Sequence, residues 1–525
     1  MMSKMLRVLP LLLMISIAFG GGMVENTNQS AEQIRMMARN ASTDLDAVFF
    51  NPAGLTKLDN GMHLYLSSQT ITQGRTITSD LATLNKGEYE GTTFAPVFPN
   101  FYFAYKMDKL VFSAGFVPIG GGGSAEFADG LPSFEAPASA LVPMMAAAGV
   151  TGYNLDVVFN GSSTYLGGQA SVSYAINDMI SVSAGVRYFS ASNTYTGHLK
   201  DIMVETAAGD MIPGNVMRGV AALYTGAADA ATTGAASLQP LITGGAGSVS
   251  FSNLVLGGSM TQAQVDAIAA GFTQLGVPGF DATTWTPTIA QGAYTTAAAT
   301  ATATAAGYTA QGLALDVGTA DVEVDATQTG SGFAPIVGLN ISLMDKLNIG
   351  LRYEMLAPLV LTNETTVDGS GLFPDGAETN ADMPAMMGIG VSYLLMPSLN
   401  VALDYNMYFN TAANWDGKED DVDNGSELAL GAEFALSEAL TLSAGFNMAT
   451  SGAMDAYQSD LSYSLNSNTI GLGAKYKLNP KMAVSLGFSN TTYEDGANTA
   501  VPAGTGNDIY AKTATVFALG LQKSF

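Results

Sequence analysis

The 525-residue chain has no cysteine, only two histidines and two tryptophans, and charged residues make up just 12% of it. The lack of cysteine excludes a disulfide framework and thiol chemistry. Basic residues are scarce: 20 stand against 45 acidic ones, and the net charge of −25 argues against nucleic-acid binding, which needs basic patches. After the first twenty residues no apolar run is long enough for a transmembrane helix. Apolar residues nevertheless make up 47% of the chain and are dispersed along it.

The first twenty residues have the layout of a secretory signal peptide. Lys4 and Arg7 precede an apolar stretch over 8–19, and the small residues Ala18 and Gly20 mark a cleavage position. The stretch is too short for a spanning helix, and no cysteine follows it to carry a lipid anchor. We expect residues 1–20 to direct export and to be removed.

Beyond this leader, apolar and polar residues alternate in segment after segment. In a bilayer every backbone polar group needs a partner, so segments of period two can span it only as a closed, antiparallel β-barrel. A soluble β-sandwich also alternates, but the leader and the terminal Phe525 favour a transmembrane barrel. In one segment the residues expected to face lipid are Ile180, Val182, Ala184, Val186 and Tyr188, and those expected to face the lumen are Ser181, Ser183, Gly185 and Arg187.

Very short turns join the alternating segments into hairpins. With a first strand over 61–79 and a last over 508–525, the sequence predicts an all-β fold of about fourteen strands, an even number as in bacterial barrels. The barrel would occupy residues 61–525, with long extracellular insertions at 128–160 and 200–320. The six turns consist of residues that favour tight turns and fall at 107–109, 177–179, 344–346, 396–397, 437–438 and 479–480.

Residues 21–60 do not fit a barrel strand. They predict a short helix around Ile34 and Met37, followed by the motif Asn51-Pro52-Ala53-Gly54. Proline fixes φ and glycine permits unusual dihedrals, so this motif can form a tight, preset turn. The segment 32–58, centred on the motif, resembles the N-terminal hatch of the FadL/TodX family of outer-membrane transporters for long-chain fatty acids and other hydrophobic compounds. The resemblance implies that residues 21–60 plug the barrel lumen; an ordinary turn before a strand is the alternative.

A second likeness to this family lies in the third strand. Gly120, Gly121, Gly122 and Gly123 interrupt the strand, and such a run weakens or kinks it. In the family the third strand has an inward kink, through which substrates are thought to leave sideways into the bilayer. The resemblance implies a lateral gate at these four glycines; a flexible strand end at the membrane edge is the alternative.

Three charged residues, Arg187, Arg352 and Glu354, are predicted to face the lumen. An arginine there would either bind a fatty carboxylate bidentately or clamp hatch acids such as Glu32, Asp44 or Asp46. We favour the clamp, because the substrates of the family include uncharged hydrocarbons.

The two insertions offer apolar residues for an external ligand groove. In the second, Thr261 and Gln264 form a capping box that opens a helix, and Gly276 ends it. The resemblance suggests that such elements collect the ligand, and methionine suits an adaptable apolar site. The alternative is that these helices pack on one another. The residues expected in the groove are Phe134, Leu141, Val142, Met144, Met145, Val265, Ile268 and Phe272.

The sequence contains few residues that could carry out catalysis or bind a metal ion. Only His63 and His198 are available as catalytic histidines, and no Gly-x-Ser-x-Gly motif occurs. The acidic stretch 416–427 misses the spacing of an EF-hand. We therefore expect no catalytic residue, no metal and no cofactor. A surface adhesin would explain the long loops but not the hatch, and an outer-membrane hydrolase is the weaker alternative.

The sequence thus predicts a monomer in the outer membrane of a Gram-negative bacterium that passively transports hydrophobic molecules. The predicted steps are capture outside, binding in the lumen and lateral release at the third strand. The expected partners are the hydrophobic ligand, outer-membrane lipid and, during biogenesis, the barrel-assembly machinery, because Phe525 and the alternating residues before it resemble the C-terminal signal that this machinery reads.

Overall fold

The computed structural model describes residues 30–344, 346–498 and 507–525. The predicted leader and the first residues of the predicted hatch lie outside this range. Among the described residues no helix has the length and apolar content needed to cross a membrane.

The described strands belong to one antiparallel sheet. They are β1 Gly61–Ser79, β2 Glu88–Met107, β3 Leu110–Phe127, β4 Val150–Ala175, β5 Ile180–Thr206, β6 Gly209–Met211, β7 Val322–Leu343, β8 Leu347–Glu354, β9 Val360–Asp368, β10 Glu378–Asn380, β11 Met386–Met396, β12 Leu399–Tyr408, β13 Gly425–Ala435, β14 Leu440–Thr450, β15 Ser467–Asn479, β16 Met482–Tyr493, β17 Gly496–Asn498 and β18 Asp508–Ser524.

The helices are short in the N-terminal segment and long only in the second insertion. They are α1 Ala31–Arg35, α2 Ala47–Phe50, α3 Pro132–Ser139, α4 Leu141–Met145, α5 Pro213–Leu241, α6 Phe251–Leu256, α7 Gln262–Gln274 and α8 Pro287–Gly318, with 3-10 turns at Pro52–Lys57, Ala146–Ala148, Asn410–Ala412 and Lys418–Asp421 and a π turn at Ile242–Ala246.

The sheet closes on itself as a barrel. β1 pairs with β2 along one edge and with β18 along the other, so the first and last strands are neighbours. β8 and β9 both pair with β7 and make one interrupted crossing, while β6, β10 and β17 are three-residue additions. When β8 and β9 are counted as one strand and the three short additions are left out, the barrel has fourteen strands. The predicted fourteen-strand antiparallel barrel is confirmed.

The predicted hairpins and faces are also confirmed. All six short turns join successive long strands, and the first strand has the predicted bounds. Along β5, Ser181 and Arg187 are 1% and 3% exposed, whereas Val182 and Tyr188 on the opposite face are 37% and 45% exposed. The alternation in sequence therefore specifies which face of each strand meets lipid.

The strands extend further than the sequence indicated. β4 begins at Val150 and β5 continues to Thr206, so 150–160 and 200–206 are strand and not part of the insertions. The two strands are adjacent in the sheet, and their ladder of hydrogen bonds continues as long as each has a partner. The remaining first insertion, 128–149, contains α3 and α4.

Residues 137–155 and 201–320 form a compact unit of their own. In this unit α5 packs along α8, with the rings of Tyr224 and Tyr308 stacked at 5.6 Å between centroids. The predicted capping box is confirmed, since Thr261 and Gln264 exchange hydrogen bonds of 3.3 and 2.8 Å. The unit therefore has a helical core of its own.

Candidate functional site

The N-terminal residues 30–58, which we call the hatch segment, lie inside the barrel. Ile34 and Arg35 are fully buried, and wall positions that face them are glycines. A Cβ at Gly471 would lie 2.3 Å from the carbonyl oxygen of Ile34, and a Cβ at Gly350 would lie 2.2 Å from that of Asn40. The backbone of the hatch segment can approach the wall this closely because these strands carry no side chain there.

The motif predicted from sequence is bonded to three wall strands. Asn51 donates from Nδ2 to the carbonyl of Leu339 on β7 at 3.0 Å. The carbonyls of Pro52 and Ala53 accept the hydroxyls of Ser173 and Ser181, at 2.7 and 2.8 Å. The motif thus satisfies its own buried carbonyls through the wall and fixes the end of the hatch segment.

Gly54 completes the turn by allowing a close approach. A Cβ there would lie 2.1 Å from the carbonyl oxygen of Ser42, a backbone atom of the hatch segment itself. Any larger residue would push these two parts of the hatch segment apart.

Ion pairs connect the helix α1 to the wall. Arg35 donates from Nε to Glu32 at 2.8 Å and from Nη1 pairs with Glu433 of β13 at 2.6 Å. Lys475 of β15 lies 3.4 Å from Glu32 and 3.3 Å from Asp44. Positive and negative charges alternate between hatch and wall, so neither side is left with an uncompensated buried charge.

A second ionic centre surrounds Arg39. Its guanidinium donates from Nε and Nη2 to the two carboxylate oxygens of Asp46, at 2.6 and 2.8 Å, and both side chains are buried. Asp404 of β12 accepts the backbone N–H groups of Arg39 and Asn40 at 2.5 and 2.7 Å. In the sequence, Asp404 is only one of several polar residues that alternate with apolar ones along β12.

Arg187 and Arg352 do clamp the hatch segment, but not through its acids. Both bind Glu354, each at 2.6 Å, and their guanidinium carbons lie 4.7 and 5.2 Å from the ring centre of Phe49. Arg352 also donates to the carbonyl of Phe49 at 3.0 Å. The predicted pairing with hatch acids is wrong, because Glu32 and Asp46 are already bound by arginines of the hatch segment.

A cavity of about 90 Å³ lies between the hatch segment and the wall. Its lining combines apolar side chains, among them methionines that can change rotamer, with charged and amide side chains. Asp404 lines it, and its Oδ1 accepts no hydrogen bond within the described chain. The apolar lining includes Met37, Phe49, Phe50, Ile119, Met383 and Met386, and the polar lining includes Asn40, Arg187, Arg352, Glu354, Asp404, Asn406, Tyr408, Glu427 and Asn447.

The wall is interrupted between β2 and β3. From the hairpin the two strands pair as far as Phe101↔Phe116, and the next pair is Thr92↔Glu126. Over this interval β2 remains paired with β1 and β3 with β4. We call the interval, 93–100 of β2 and 117–125 of β3, the β2–β3 gap.

The glycine run of the third strand lies in this gap. Gly121 and Gly123 have φ of +89° and +72°, values that other residues rarely adopt. A Cβ at Gly121 would lie 2.3 Å from the carbonyl oxygen of Ser163 on β4. The register with β4 shifts on both sides of Gly120, so β3 is irregular at the glycine run.

The residues predicted for an external groove fall in different places. Phe134 packs on Phe159 of β4, with ring centres 5.4 Å apart. Val265 and Phe272 are buried in the helical unit, where Phe272 stacks on Tyr294 at 4.1 Å, and Ile268 is partly buried beside them. Leu141 and Met145 are buried, while Val142 and Met144 are partly exposed. In the helical unit the alternative of mutual packing therefore describes these residues better than an open groove.

The histidines have structural neighbours. His63 contacts the hydroxyl of Ser524 and the carbonyl of Asp59, both at 2.8 Å. His198 lies 3.1 Å from Asp156 on the adjacent strand. Within the described ranges no three His, Cys, Asp or Glu side chains are grouped to hold a metal ion.

Acid should loosen the hatch segment. Burial would raise the pKa of the Glu32 carboxyl, but Arg35 and Lys475 outweigh it and lower that pKa well below its ordinary value of 4.5. The ionised Glu32 carboxyl therefore stabilises the docked hatch segment, and this stabilisation is fully present at pH values above 4.5. It is progressively lost as the pH falls below 4.5. We expect planar-bilayer recordings to show more frequent openings at pH 3 than at pH 7.

Glu32→Gln is the matched control, because it keeps the shape and removes the titration. This variant should open more often at both pH values, with a smaller difference between them. A wild-type protein whose openings are equally rare down to pH 3 would show that Glu32 does not hold the hatch segment.

Comparison with known proteins gives the same fold. The family model of the outer membrane protein beta-barrel domain matches residues 365–525. A Pseudomonas aeruginosa FadL homologue is similar over 96% of this chain and 99% of its own, with 13% identity and a TM-score of 0.56. The Pseudomonas putida toluene transporter TodX is similar over 95% of this chain and 99% of its own, with 13% identity and a TM-score of 0.53. No curated protein sequence matches the chain. At this identity the likeness establishes the fold: the chain is an outer-membrane-type β-barrel of fourteen strands with its N-terminal segment inside.

Proposed function

We propose that this protein passively transports hydrophobic molecules across the outer membrane of a Gram-negative bacterium and releases them sideways through the β2–β3 gap. The observation that carries the proposal is the loss of pairing between β2 and β3 beside the cavity at the hatch segment. The fold shared with the FadL homologue and the toluene transporter supports the same class of cargo.

The gap and the cavity share a residue of the third strand. Ile119 lies within the gap on β3, is 6% exposed, and lines the cavity beside Phe49. A molecule in the cavity is therefore separated from the gap by an apolar side chain and not by a hydrogen-bonded ladder.

The composition of the gap suits an opening in a lipid-facing wall. Pro96 and Pro99 lie on its β2 side and Pro118 on its β3 side. Proline has no backbone N–H, so these positions leave no donor unpaired and cannot rejoin the ladder. An unpaired donor facing lipid would cost several kcal/mol, and the prolines reduce that cost.

The driving force is the hydrophobic effect, at about 0.8 kcal/mol for each methylene removed from water. Several apolar sites in succession would let the ligand move without being trapped at one of them. The methionines of the cavity allow the lining to adapt to ligands of different shape.

A reversible cross-link across the gap tests lateral release. A Cβ at Gly123 would lie 3.2 Å from Cγ2 of Thr93, so Thr93→Cys with Gly123→Cys places two thiols within bonding reach. The chain has no other cysteine. We expect the oxidised variant, in intact cells, to take up labelled oleate and labelled toluene several-fold more slowly, because the disulfide holds the strands together.

The reduced form of the same variant is the control, since it carries the same substitutions, including the strained position 123. Reduction should restore uptake to the rate of that unoxidised protein. Equal uptake before and after complete oxidation would exclude the gap as the exit and favour passage straight to the periplasm.

A further inference from the structure

Three buried oxygen atoms at the cavity beside the hatch segment make no hydrogen bond within the described chain. They are Oε1 of Gln33, Oδ1 of Asp404 and Oδ1 of Asn447, and all three side chains line the cavity. These side chains are 3%, 3% and 6% exposed. Buried acceptors are normally satisfied, so three of them in one cavity indicate a partner that the polypeptide does not supply.

Two carboxylates of the same cavity have no cationic partner. In the described ranges neither Asp404 nor Glu427 forms an ion pair with a Lys, Arg or His side chain. Arg187 and Arg352 also line the cavity, but both bind Glu354. The cations closest in kind to these acids are therefore already neutralised by another one.

The hydrogen bonds that the two carboxylates do accept come from neutral groups. Asp404 accepts two backbone N–H groups of the hatch segment, at 2.5 and 2.7 Å, through Oδ2. Glu427 accepts the amide of Asn406 at 2.9 Å and the hydroxyl of Tyr408 at 3.1 Å, both at Oε2. Such bonds hold a carboxylate in place but cancel none of its charge. Buried charges are usually paired or coordinate a metal ion.

The register of the wall places these oxygen-bearing side chains around one small residue. Ala429 of β13 is the register partner of Asp404 on β12 and of Asn447 on β14. Glu427 precedes Ala429 by two residues and therefore lies on the same face of β13. Neighbouring strands are about 4.8 Å apart, so Asp404 and Asn447 flank Ala429 from backbones about 10 Å apart. The methyl group of Ala429 leaves space between them.

The chemistry of this set suits a hard cation. Calcium takes six to eight oxygen ligands at about 2.3–2.6 Å, drawn from carboxylates, amide carbonyls and water, and its geometry is flexible. A single water needs at least about 10–15 Å³, so the cavity of about 90 Å³ has room for an ion with several waters. Magnesium fits less well, because it demands short bonds in near-ideal octahedral geometry.

We propose that a calcium ion binds at this cavity, between the hatch segment and the wall. Its carboxylate ligands are Asp404 and Glu427, and its amide ligands are Gln33 and Asn447. The two carboxylates match the charge of the ion, and the otherwise unpartnered amide oxygens become ligands. Because Gln33 belongs to α1 and the other ligands to β12, β13 and β14, the ion ties the hatch segment to the barrel. The ligands come from four separate segments, so no spacing in the sequence indicates the site.

Equilibrium dialysis against radioactive calcium tests the proposal without requiring transport. The purified full-length protein in a non-ionic detergent is first freed of metal with a chelator. We expect the wild-type chain to bind calcium at this site, and we expect Asp404→Asn and Glu427→Gln each to weaken that binding about tenfold or more. Each substitution keeps the shape of the side chain and removes one of the two charges on which the affinity depends.

The matched controls are Asp420→Asn and Glu438→Gln, which make the same chemical changes at exposed positions. Both should bind calcium as the wild type does. An equal loss of affinity in the controls would place the ion on surface acids and overturn the proposal.

Hydrogen exchange locates the effect of the ion. Calcium should slow the exchange of residues 30–58 several-fold in the wild type and leave it unchanged in Asp404→Asn and Glu427→Gln, because a bound ligand stabilises the state that binds it. A purely structural role of the two carboxylates would alter this exchange without making it depend on calcium.

The proposal is overturned if the wild type binds no calcium, or if both cavity variants bind it as tightly as the wild type. Equal protection of residues 30–58 by sodium chloride alone would also overturn it, because a monovalent ion would then suffice. The two variants are measured separately, and heat modifiability on gels shows that each has folded, so one that fails to fold leaves the other for the comparison.

Discussion

Deletion of residues 23–60 is expected to convert a closed barrel into an ion-conducting pore. Barrels of eight strands are filled by their own side chains, whereas those of sixteen or more hold an aqueous channel. At fourteen strands, the lumen here is filled by the hatch segment, against which the wall presents glycines such as Gly350 and Gly471. Once the segment is absent, those glycines line an open, polar interior that admits water and ions. Planar-bilayer recordings at neutral pH measure the change directly.

The full-length protein recorded in the same lipid is the reference, and heat modifiability on gels shows that the shortened barrel has folded. We expect rare openings from the full-length chain and stable conductance from the deletion variant. The same low conductance from both proteins would mean that residues 30–58 do not block the lumen.

Arg39→Met should release the hatch segment without unfolding the barrel. The substitution leaves the carboxylate of Asp46, which is 1% exposed, without its bidentate partner. Removing one member of a buried ion pair costs about 3–5 kcal/mol, because the remaining charge is buried and uncompensated. The loss falls on the docking of the hatch segment, so hydrogen exchange of residues 30–58 should accelerate while that of the strands stays slow.

Two further variants test whether the faster exchange comes from the buried ion pair between Arg39 and Asp46. Arg218→Met removes an arginine that also pairs with an aspartate, Asp316, at 2.6 Å, but both partners are partly exposed, and such a pair contributes about 0–1 kcal/mol. Arg39→Met with Asp46→Leu removes both charges and should restore much of the protection. Unchanged exchange in Arg39→Met would contradict the role assigned to this pair.

The strands, their hairpins and their lipid faces could be predicted from sequence because each depends on local information. A tight turn such as 437–438 and a period of two such as that of 180–188 are complete within about ten residues. The hatch motif was found for the same reason, since Asn51 to Gly54 are contiguous. The strand ends at Val150 and Thr206 were misjudged because the length of a ladder depends on the partner strand as well.

The partners of the lumenal charges could not be assigned in this way. Many acidic and basic side chains lie in the same lumen, and the sequence does not say which of them form ion pairs. Glu32 is bound by Arg35, three residues along its own helix, so it is not available to Arg187 or Arg352, which bind Glu354 instead.

The sequence by itself determined the class of fold, the strand number, the face that each strand turns to lipid and the place of the N-terminal motif, because periodicity, turn chemistry and backbone restrictions act over short distances. The tertiary structure alone decided which charges neutralise one another, where β2 and β3 part, and that Arg75 meets Lys512. Arg75 of β1 meets Lys512 of β18 because the first strand closes against the last. Nothing local in either strand anticipates the charge it will face.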